Sequence, residues 1–494
     1  MNRMNKKNKW GLSGMLNNDK NDEVPARTER VRSGGSDTIP ISIGTESSNI
    51  AGKQNKTFYS ILLLTVLVFI TSFVKAQKTL TPEEAIATAL QNNYDILLSK
   101  NDSAVAALNY SFRNAVFLPR LNGTLVTNWS NIDQKQKFAD GTTRQQKNIK
   151  ANNYSASVQL NWTLFDGLKM FATRDKAQEY IRLGELGIKN QVVNTVSVVI
   201  INYYNVVRQK QQLKAIEEQM SINQERVKLA QYKLDIGSGA RPDVLQSQVD
   251  LNAQKAAQLE QQSLIDKLKE QLNQTMNVLQ QTDYDVIDSI PINMQVALAD
   301  IQTNIENNNP LLLIAKKNID IANFTLKERR AERFPIISFN SVYNFNRTNN
   351  KATVNPFQPL FSRSTGPVYG LTTTIPILNN LNTNRLIKQA QLDIQYQQLL
   401  YDNQRSLIKL GVLNAYKDYE QQKKTLELEE ANILLAKENV SIVLETYRLG
   451  AATFIQLREA QKSLEDAYNR LIAARYNTKL AETELLRLKG QLVK

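Results

Sequence analysis

Two periodicities divide this chain. Along residues 154–164, Tyr154, Ala156, Val158, Leu160, Trp162 and Leu164 alternate with Ser155, Ser157, Gln159, Asn161 and Thr163. A period of two is the mark of a β-strand with one apolar face. Weaker alternation runs through Leu121, Gly123, Leu125, Thr127 and Trp129, through Ile337, Phe339, Ser341, Tyr343 and Phe345, and through Tyr369, Leu371, Thr373, Ile375 and Ile377. The pattern predicts four strands, about 120–130, 153–165, 336–346 and 368–378. Polar loops at 131–152 and 347–367 would close them into two hairpins. About ten residues, tilted, cross a bilayer. Trp129, Tyr154, Trp162, Tyr343 and Tyr369 lie toward strand ends, as interfacial aromatic girdles do.

Elsewhere the spacing is three and four. Residues 81–91, 94–118, 297–307 and 310–334 read as helices, the longer ones ending at Pro119 and Pro335. Residues 167–235 and 380–449 hold no proline. Leu213, Ile216, Met220, Val227, Ala230 and Leu234 predict the buried stripe of the first stretch, and Leu426, Ile433, Ala436, Val440, Val443 and Tyr447 that of the second. Leu464, Ala467, Leu471, Ala474, Thr478, Ala481, Leu485 and Leu488 continue the pattern after Gly450, which is coiled-coil patterning. Nearly 70 helical residues would reach ~100 Å. The turns Gly237-Ser238-Gly239-Ala240-Arg241-Pro242-Asp243 and Gly450-Ala451-Ala452-Thr453-Phe454 reverse these helices.

The chain is duplicated. At an offset of 216, residues 80–94 align with 296–310 and Phe117-Leu118-Pro119 with Arg333-Phe334-Pro335. At 213, residues 164–168 align with 377–381, and Leu234-Asp235-Ile236-Gly237 with Tyr447-Arg448-Leu449-Gly450. One helix-strand-strand-helix unit occurs twice, as 77–292 and 293–494. Residues 1–52 are polar, without apolar periodicity, and read as a disordered extension. Residues 53–76, with a basic flank, an apolar run from Phe58 to Ile70 and small residues before Gln77, read as a signal peptide in preference to a membrane anchor, which the run is nearly long enough to be.

Composition narrows the function. Cysteine and histidine are both absent, which excludes thiolate nucleophiles, Cys/His zinc sites and Ser-His-Asp triads. No lipid can be attached through a cysteine, and no polar constellation suggests an enzyme or a cofactor site. The net charge of +14 is spread along the chain, unlike the concentrated patch of a nucleic-acid binder. Four membrane strands cannot close a barrel, because their edges would leave backbone groups unpaired in lipid. Two chains would give eight strands and a filled interior, three would give twelve and a lumen. A secreted or periplasmic coiled-coil scaffold, or an adaptor without a pore, would explain the heptads. Neither explains the duplicated strands.

These features resemble the outer membrane efflux protein family, the TolC-like exit ducts, over about residues 80–490. The most specific stretch is Lys233 through Gln246, with its counterpart from Tyr447 to Leu457. The resemblance implies a mainly α fold with membrane β. That is a homotrimer with a twelve-stranded outer-membrane barrel, continued by a long coiled-coil periplasmic barrel, in a Gram-negative bacterium. It implies passive export from a periplasmic adaptor and an inner-membrane pump, with outer-membrane lipid around the barrel. It also implies a gate in which Tyr447 bonds to Asp243. The family's arginine two residues after the second tip glycine is replaced by Ala452. Of the two acidic positions of its cation ring, one is Gln456 and the other Glu459. Adaptor contact would fall near Gly237, Arg241, Gly450 and Ala451. Tyr447 also fits a buried heptad position, and Asp243 a helix first turn.

Overall fold

The computed structural model describes residues 78–279, 284–303 and 305–492. The expected extension at 1–52 and signal at 53–76 lie outside the described residues.

The chain opens with β1 (Lys78–Leu80), α1 (Pro82–Asn92) and α2 (Tyr94–Ser111). A hairpin follows, β2 (Arg120–Lys137) and β3 (Thr143–Phe165), then α3 (Lys169–Asp235) and α4 (Arg241–Met276). After β4 (Tyr284–Val286) the order repeats: α5 (Leu298–Gln302), α6 (Ile305–Asn308), α7 (Pro310–Ala331), β5 (Ile336–Asn350), β6 (Phe361–Thr374), α8 (Asn382–Arg448) and α9 (Phe454–Lys489). Helices α3 and α8 are both 67 residues long, and α4 and α9 both 36. Where one helix was expected over 297–307, α5 and α6 form two short pieces. Helix α2 stops at Ser111, and a 3-10 turn over Arg113–Phe117 leads to Pro119.

The same local chemistry recurs in both units. Asn93 caps α2, its Oδ1 accepting from the amides of Asp95 and Ile96 at 3.0 and 3.3 Å. Asn309 caps α7 in the same way, from Leu311 and Leu312. Each Asn then donates from Nδ2, at 2.8 Å, to the last turn of a returning helix, Thr275 O or Leu488 O. Those acceptors are 213 residues apart, like the helices that carry them. A side-chain oxygen at the N-cap is worth ~1 kcal/mol, and here the other half of the amide joins two elements distant in sequence.

Both long helices start from consecutive left-handed residues: Gly167 and Leu168 (φ 73° and 72°), and Asn380 and Leu381 (φ 56° and 60°). Gly167 is required for a further reason. A Cβ there would lie 2.4 Å from Ala331 O.

The four long strands form one antiparallel sheet in the order β2-β3-β5-β6. The strands exceed the expected ten residues. The first hairpin continues through 131–137 and 143–152 and turns tightly, Phe138 N donating to Thr142 O at 2.9 Å. The second takes up about half of 347–367 in strand and leaves 351–360 as a loop, so the first expected polar loop is largely sheet and the second only in part. Here Asp133, Lys135, Arg144 and Lys147 leave no apolar face, so alternation disappears while pairing persists. Strand β6 ends at Thr374, before Pro376, which has no N–H to donate.

Helix α9 buries Leu464, Ala467, Leu471, Ala474, Thr478, Leu485 and Leu488 as expected, with Ala481 half-buried. Helix α8 buries Leu426, Ile433, Val440 and Tyr447. The distal half of α3 departs from expectation. Its buried residues are Ala215, Gln219, Asn223, Arg226 and Ala230, whereas Leu213, Ile216, Met220, Val227 and Leu234 are half-buried. The helix is packed by both α4 and α9, and the polar stripe faces the crowded side.

Candidate functional site

Two regions of the molecule carry the residues singled out in the sequence: the sheet and the helix tips. The pairing register sorts the sheet's side chains onto two faces. Trp162 lies beside Phe339, which faces Leu371; Val158 lies between Gly123 and Tyr343; Tyr154 lies between Thr127 and Arg347. This face is apolar and exposed, with Leu125, Trp129, Tyr369 and Leu371 all at least two-thirds accessible. The opposite face carries Asn122, Asn128, Gln159, Asn161, Asn340 and Asn344. The apolar band runs from Trp162 and Phe339 to Tyr154, Arg347 and Arg363. Eight residues at ~3.4 Å span ~27 Å along a strand, or ~20 Å of depth at a tilt of ~40°. That matches the apolar belt of a membrane barrel, ringed by aromatic and cationic residues at its boundaries. Among the described residues no helix is long and apolar enough to cross a membrane.

At the tips, both long helices end in the same motif. Gly237 (φ 76°) and Gly450 (φ 81°) take the left-handed conformation that lets the chain turn. Ser238 N donates to Lys233 O at 2.8 Å and Gly237 N to Leu234 O at 3.0 Å. Ala451 N donates to Thr446 O at 2.9 Å and Gly450 N to Tyr447 O at 3.1 Å. This six-to-one and five-to-two pairing satisfies carbonyls that a helix end otherwise strands. Gly237, Arg241, Gly450 and Ala451 are all exposed on these turns.

Tyr447 is buried, 4% exposed. Its ring lies under the Lys233 ammonium, 3.9 Å from the centroid, and Lys233 Nζ also donates to the Tyr447 carbonyl. Burial pushes the Tyr447 phenol above its ordinary pKa, the negative charge of Asp243 adds to this, and Arg226 opposes it. The phenol therefore stays neutral and able to donate at physiological pH. Asp243 occupies the first turn of α4, where its carboxylate favours the helix dipole and its carbonyl accepts from Ser247 Oγ at 2.7 Å. Tyr447 and Asp243 are thus within electrostatic reach. Among the described residues no hydrogen bond joins their side chains.

Gln456 has a local role. It is the fourth member of a capping box: Thr453 N donates to its Oε1 at 2.8 Å, and its own amide donates to Thr453 Oγ1 at 3.3 Å. Glu459 is exposed one turn further along α9. Both border a cavity of about 580 Å³ between α8 and α9, with Asn439, Thr446 and Ser463. Lys233 and Arg226 escaped the sequence reading. Arg226 left a signal, a charge amid a three/four-spaced stripe. Lys233 left none, because its role depends on the approach of α8.

Known proteins bear the same pattern. The chain is similar to the outer membrane efflux protein BepC of Brucella suis biovar 1, 19% identical over 423 residues that cover 83% of this chain and 85% of that protein. The alkaline protease secretion protein AprF of Pseudomonas aeruginosa is 19% identical over 411 residues, covering 80% and 83%. The crystal structure of the Campylobacter jejuni CmeC outer membrane channel superposes with a TM-score of 0.68 at 15% identity, covering 83% of this chain and 85% of that one. The model of the outer membrane efflux protein family matches residues 85–278 and 303–491, and the chain belongs to that family: it is an outer-membrane exit duct with a periplasmic helical part.

Proposed function

We propose that three copies of the chain close into one duct. Its entrance is held at the helix tips, and it takes cargo from an inner-membrane pump through a periplasmic adaptor. The duct then works as a passive wall, with no covalent step.

The observation that carries this reading is a mismatch between equivalent seams. Helix α7 packs between α3 and α8, but its counterpart α2 packs against α3 with no comparable seam on α8. The α3–α7 seam inside the chain is ionic. Lys169 pairs with Glu332 at 2.9 Å, Lys176 with Glu328, and Glu179 with Lys317 at 2.8 Å. The repeat offsets carry Glu328 to Phe112, Glu332 to Val116 and Glu179 to Leu392. Phe112, Val116 and Leu392 are 66%, 37% and 63% exposed. The same offsets carry Lys169, Lys176 and Lys317 to Asn382, Gln389 and Asn101, so where the partner helix is missing the acidic positions are apolar, the basic ones are neutral amides, and none of the six keeps its charge. Free apolar faces of this kind are those of an obligate assembly. The open edges of β2 and β6 require the same neighbour, since unpaired strand edges are not tolerated in lipid.

Tyr447, Asp243, Gln456 and Glu459 stand at the entrance of this assembly, and Gly237, Arg241, Gly450 and Ala451 present the outermost turns to an adaptor. Tyr447 and Asp243, already in electrostatic contact, would close a hydrogen bond with a small shift of α8. The test is single-channel conductance in planar bilayers. Wild type should show brief, infrequent openings, and Tyr447→Phe combined with Asp243→Ala should raise the open probability several-fold. Unchanged opening rejects the latch, and the absence of discrete steps from either protein rejects the duct.

A further inference from the structure

One cavity above the tips is lined by buried donors that lack acceptors. It holds about 370 Å³ between α3, α4 and α9, walled by Gln219, Asn223, Arg226, Asp250, Arg458 and Gln461 among others. Gln219, Arg226 and Gln461 are 3%, 2% and 5% exposed. Arg226 donates from Nη1 to Gln461 Oε1 at 2.5 Å and from Nη2 to Asp250 Oδ2 at 2.6 Å. Its Nε meets no acceptor among the described residues, nor do Gln461 Nε2 and Gln219 Nε2. The orientation of the Gln461 amide follows from its bond to Arg226, because only its oxygen can accept there.

Of the three carboxylates that border the cavity, Asp250 and Glu465 are engaged and Glu459 is turned to the exposed side of α9. Asp250 takes Arg226, Gln246 at 2.8 Å and Arg458 at 3.5 Å. Glu465 pairs with Lys462 at 3.5 Å, and Glu459 is exposed. What remains is a surplus of N–H groups. Buried polar groups without partners are rare and point to an occupant. A water molecule accepts two hydrogen bonds and must place two protons of its own. An anion only accepts.

We propose that this cavity binds a small inorganic anion of the chloride class, held by Arg226 Nε, Gln461 Nε2 and Gln219 Nε2. The site occurs once per chain. At the repeat offset Arg226 and Asp250 become Asn439 and Ser463, so the second hairpin lacks both the cation and its counter-ion. The donors come from α3 of the first unit and α9 of the second. Occupancy therefore ties the first tip hairpin to the second.

Diffraction at the bromine absorption edge, from crystals of the wild-type assembly grown in bromide, should show an anomalous peak within hydrogen-bonding reach of Arg226 Nε and Gln461 Nε2. A cavity without bromine signal overturns the proposal. A second arm is thermal unfolding of the purified assembly from ~1 to ~300 mM sodium chloride, wild type beside Gln219→Met/Gln461→Met. A ligand at ~100 times its dissociation constant shifts the folding equilibrium about 100-fold, so the wild-type midpoint should rise and saturate. The variant should follow only a shallow, unsaturating salt response. Identical responses in the two proteins also overturn it.

Discussion

The duplication predicts the register of a strand pair that a single chain does not contain. An offset of 216 carries β2 onto β5, and 213 carries β3 onto β6. Arg120 opposite Asn161 thus becomes Ile336 opposite Thr374, as observed. Applied to the β3–β5 pairing, the same offsets give the pairing of β6 with β2 of the next subunit. Ser155 opposite Asn346 becomes Val368 opposite Ser130, and Ala156 opposite Phe345 becomes Tyr369 opposite Trp129. The mapped pairs keep apolar residues on the apolar face, a check that a register wrong by one residue would fail.

The perturbation is Val368→Cys with Ser130→Cys. In the template pair the side chains touch, Ser155 Oγ donating to Asn346 Oδ1 at 2.5 Å. Directly opposed Cβ atoms lie ~4.5–5.5 Å apart, near the range that a disulfide spans. The natural chain has no cysteine, so every crosslink reports this pair. Strands β2 and β6 are at opposite edges of one sheet, three spacings or ~14 Å apart, which rules out a bond within the chain. After mild oxidation, non-reducing electrophoresis should show covalent dimers and trimers. Each single variant should remain monomeric. Moving the first-strand cysteine to Asn128 or Ile132 displaces it by ~7 Å and should lower the yield at least tenfold. Efficient crosslinking at 128 or 132 with none at 130 refutes the register, and no crosslink at any of the three refutes the β6–β2 closure.

Three further outcomes follow from the described contacts. Gly167→Ala should destabilise by about 1–3 kcal/mol, from its positive φ and the approach to Ala331 O, whereas Gly187→Ala, with open space at its Cβ, should gain ~0.5–1 kcal/mol in denaturant melts. Asp250→Ala leaves Arg226 buried without its carboxylate and should cost about 3–5 kcal/mol in the same assay; a loss below ~1 kcal/mol would mean that Arg226 finds another acceptor. Burial is the largest single influence on the Asp285 carboxyl and would raise it, but the Lys210 hydrogen bond, the Val286 amide and the charges of Lys210 and Lys269 together outweigh it and the pKa is lowered. Burial alone would lower the Lys210 ammonium, but Asp285 and Asp288 outweigh it and raise it. A lowered carboxyl contributes above its unfolded value, ~4, and is lost as acid passes the folded value. A raised ammonium contributes below ~10.4 and is lost as base passes its folded value. Melting midpoints should therefore fall at both extremes, and Asp285→Asn should flatten the acid limb.

What the sequence disclosed depended on whether one face of an element met one kind of neighbour. Alternation was legible at 154–164 because that stretch of β3 has an apolar face and a polar one. It vanished at 131–152, where charged residues occupy both faces, although the hairpin continues there. Helix α9 showed its buried stripe plainly. Helix α3 did not, because α4 and α9 both pack on it and enclose Gln219, Asn223 and Arg226, leaving the apolar residues half-buried at the flank. The tip glycines were readable because only a residue tolerant of positive φ ends a helix in that way. Lys233 was not, since its place beside Tyr447 exists only once two distant helices meet.

The duplication reaches further than any single pattern, because it allows the chain to be compared with itself. Where α7 meets α3 the contact positions are ionic, and an ion pair tolerates the water that reaches a seam of one chain. The counterparts of the seam's acidic members, Phe112, Val116 and Leu392, gain nothing from water and lose contact area whenever the neighbour is absent. An unassembled chain would therefore expose two apolar seams and two strand edges together. Each makes the other costlier, since one partner covers both. Assembly of this wall should accordingly be cooperative: weakening the helix seam with Phe112→Glu should also weaken the β6–β2 pairing. The Val368–Ser130 crosslink should fall in yield in that background even though residue 112 is outside the sheet. An unchanged yield would show that the strands associate without the helices.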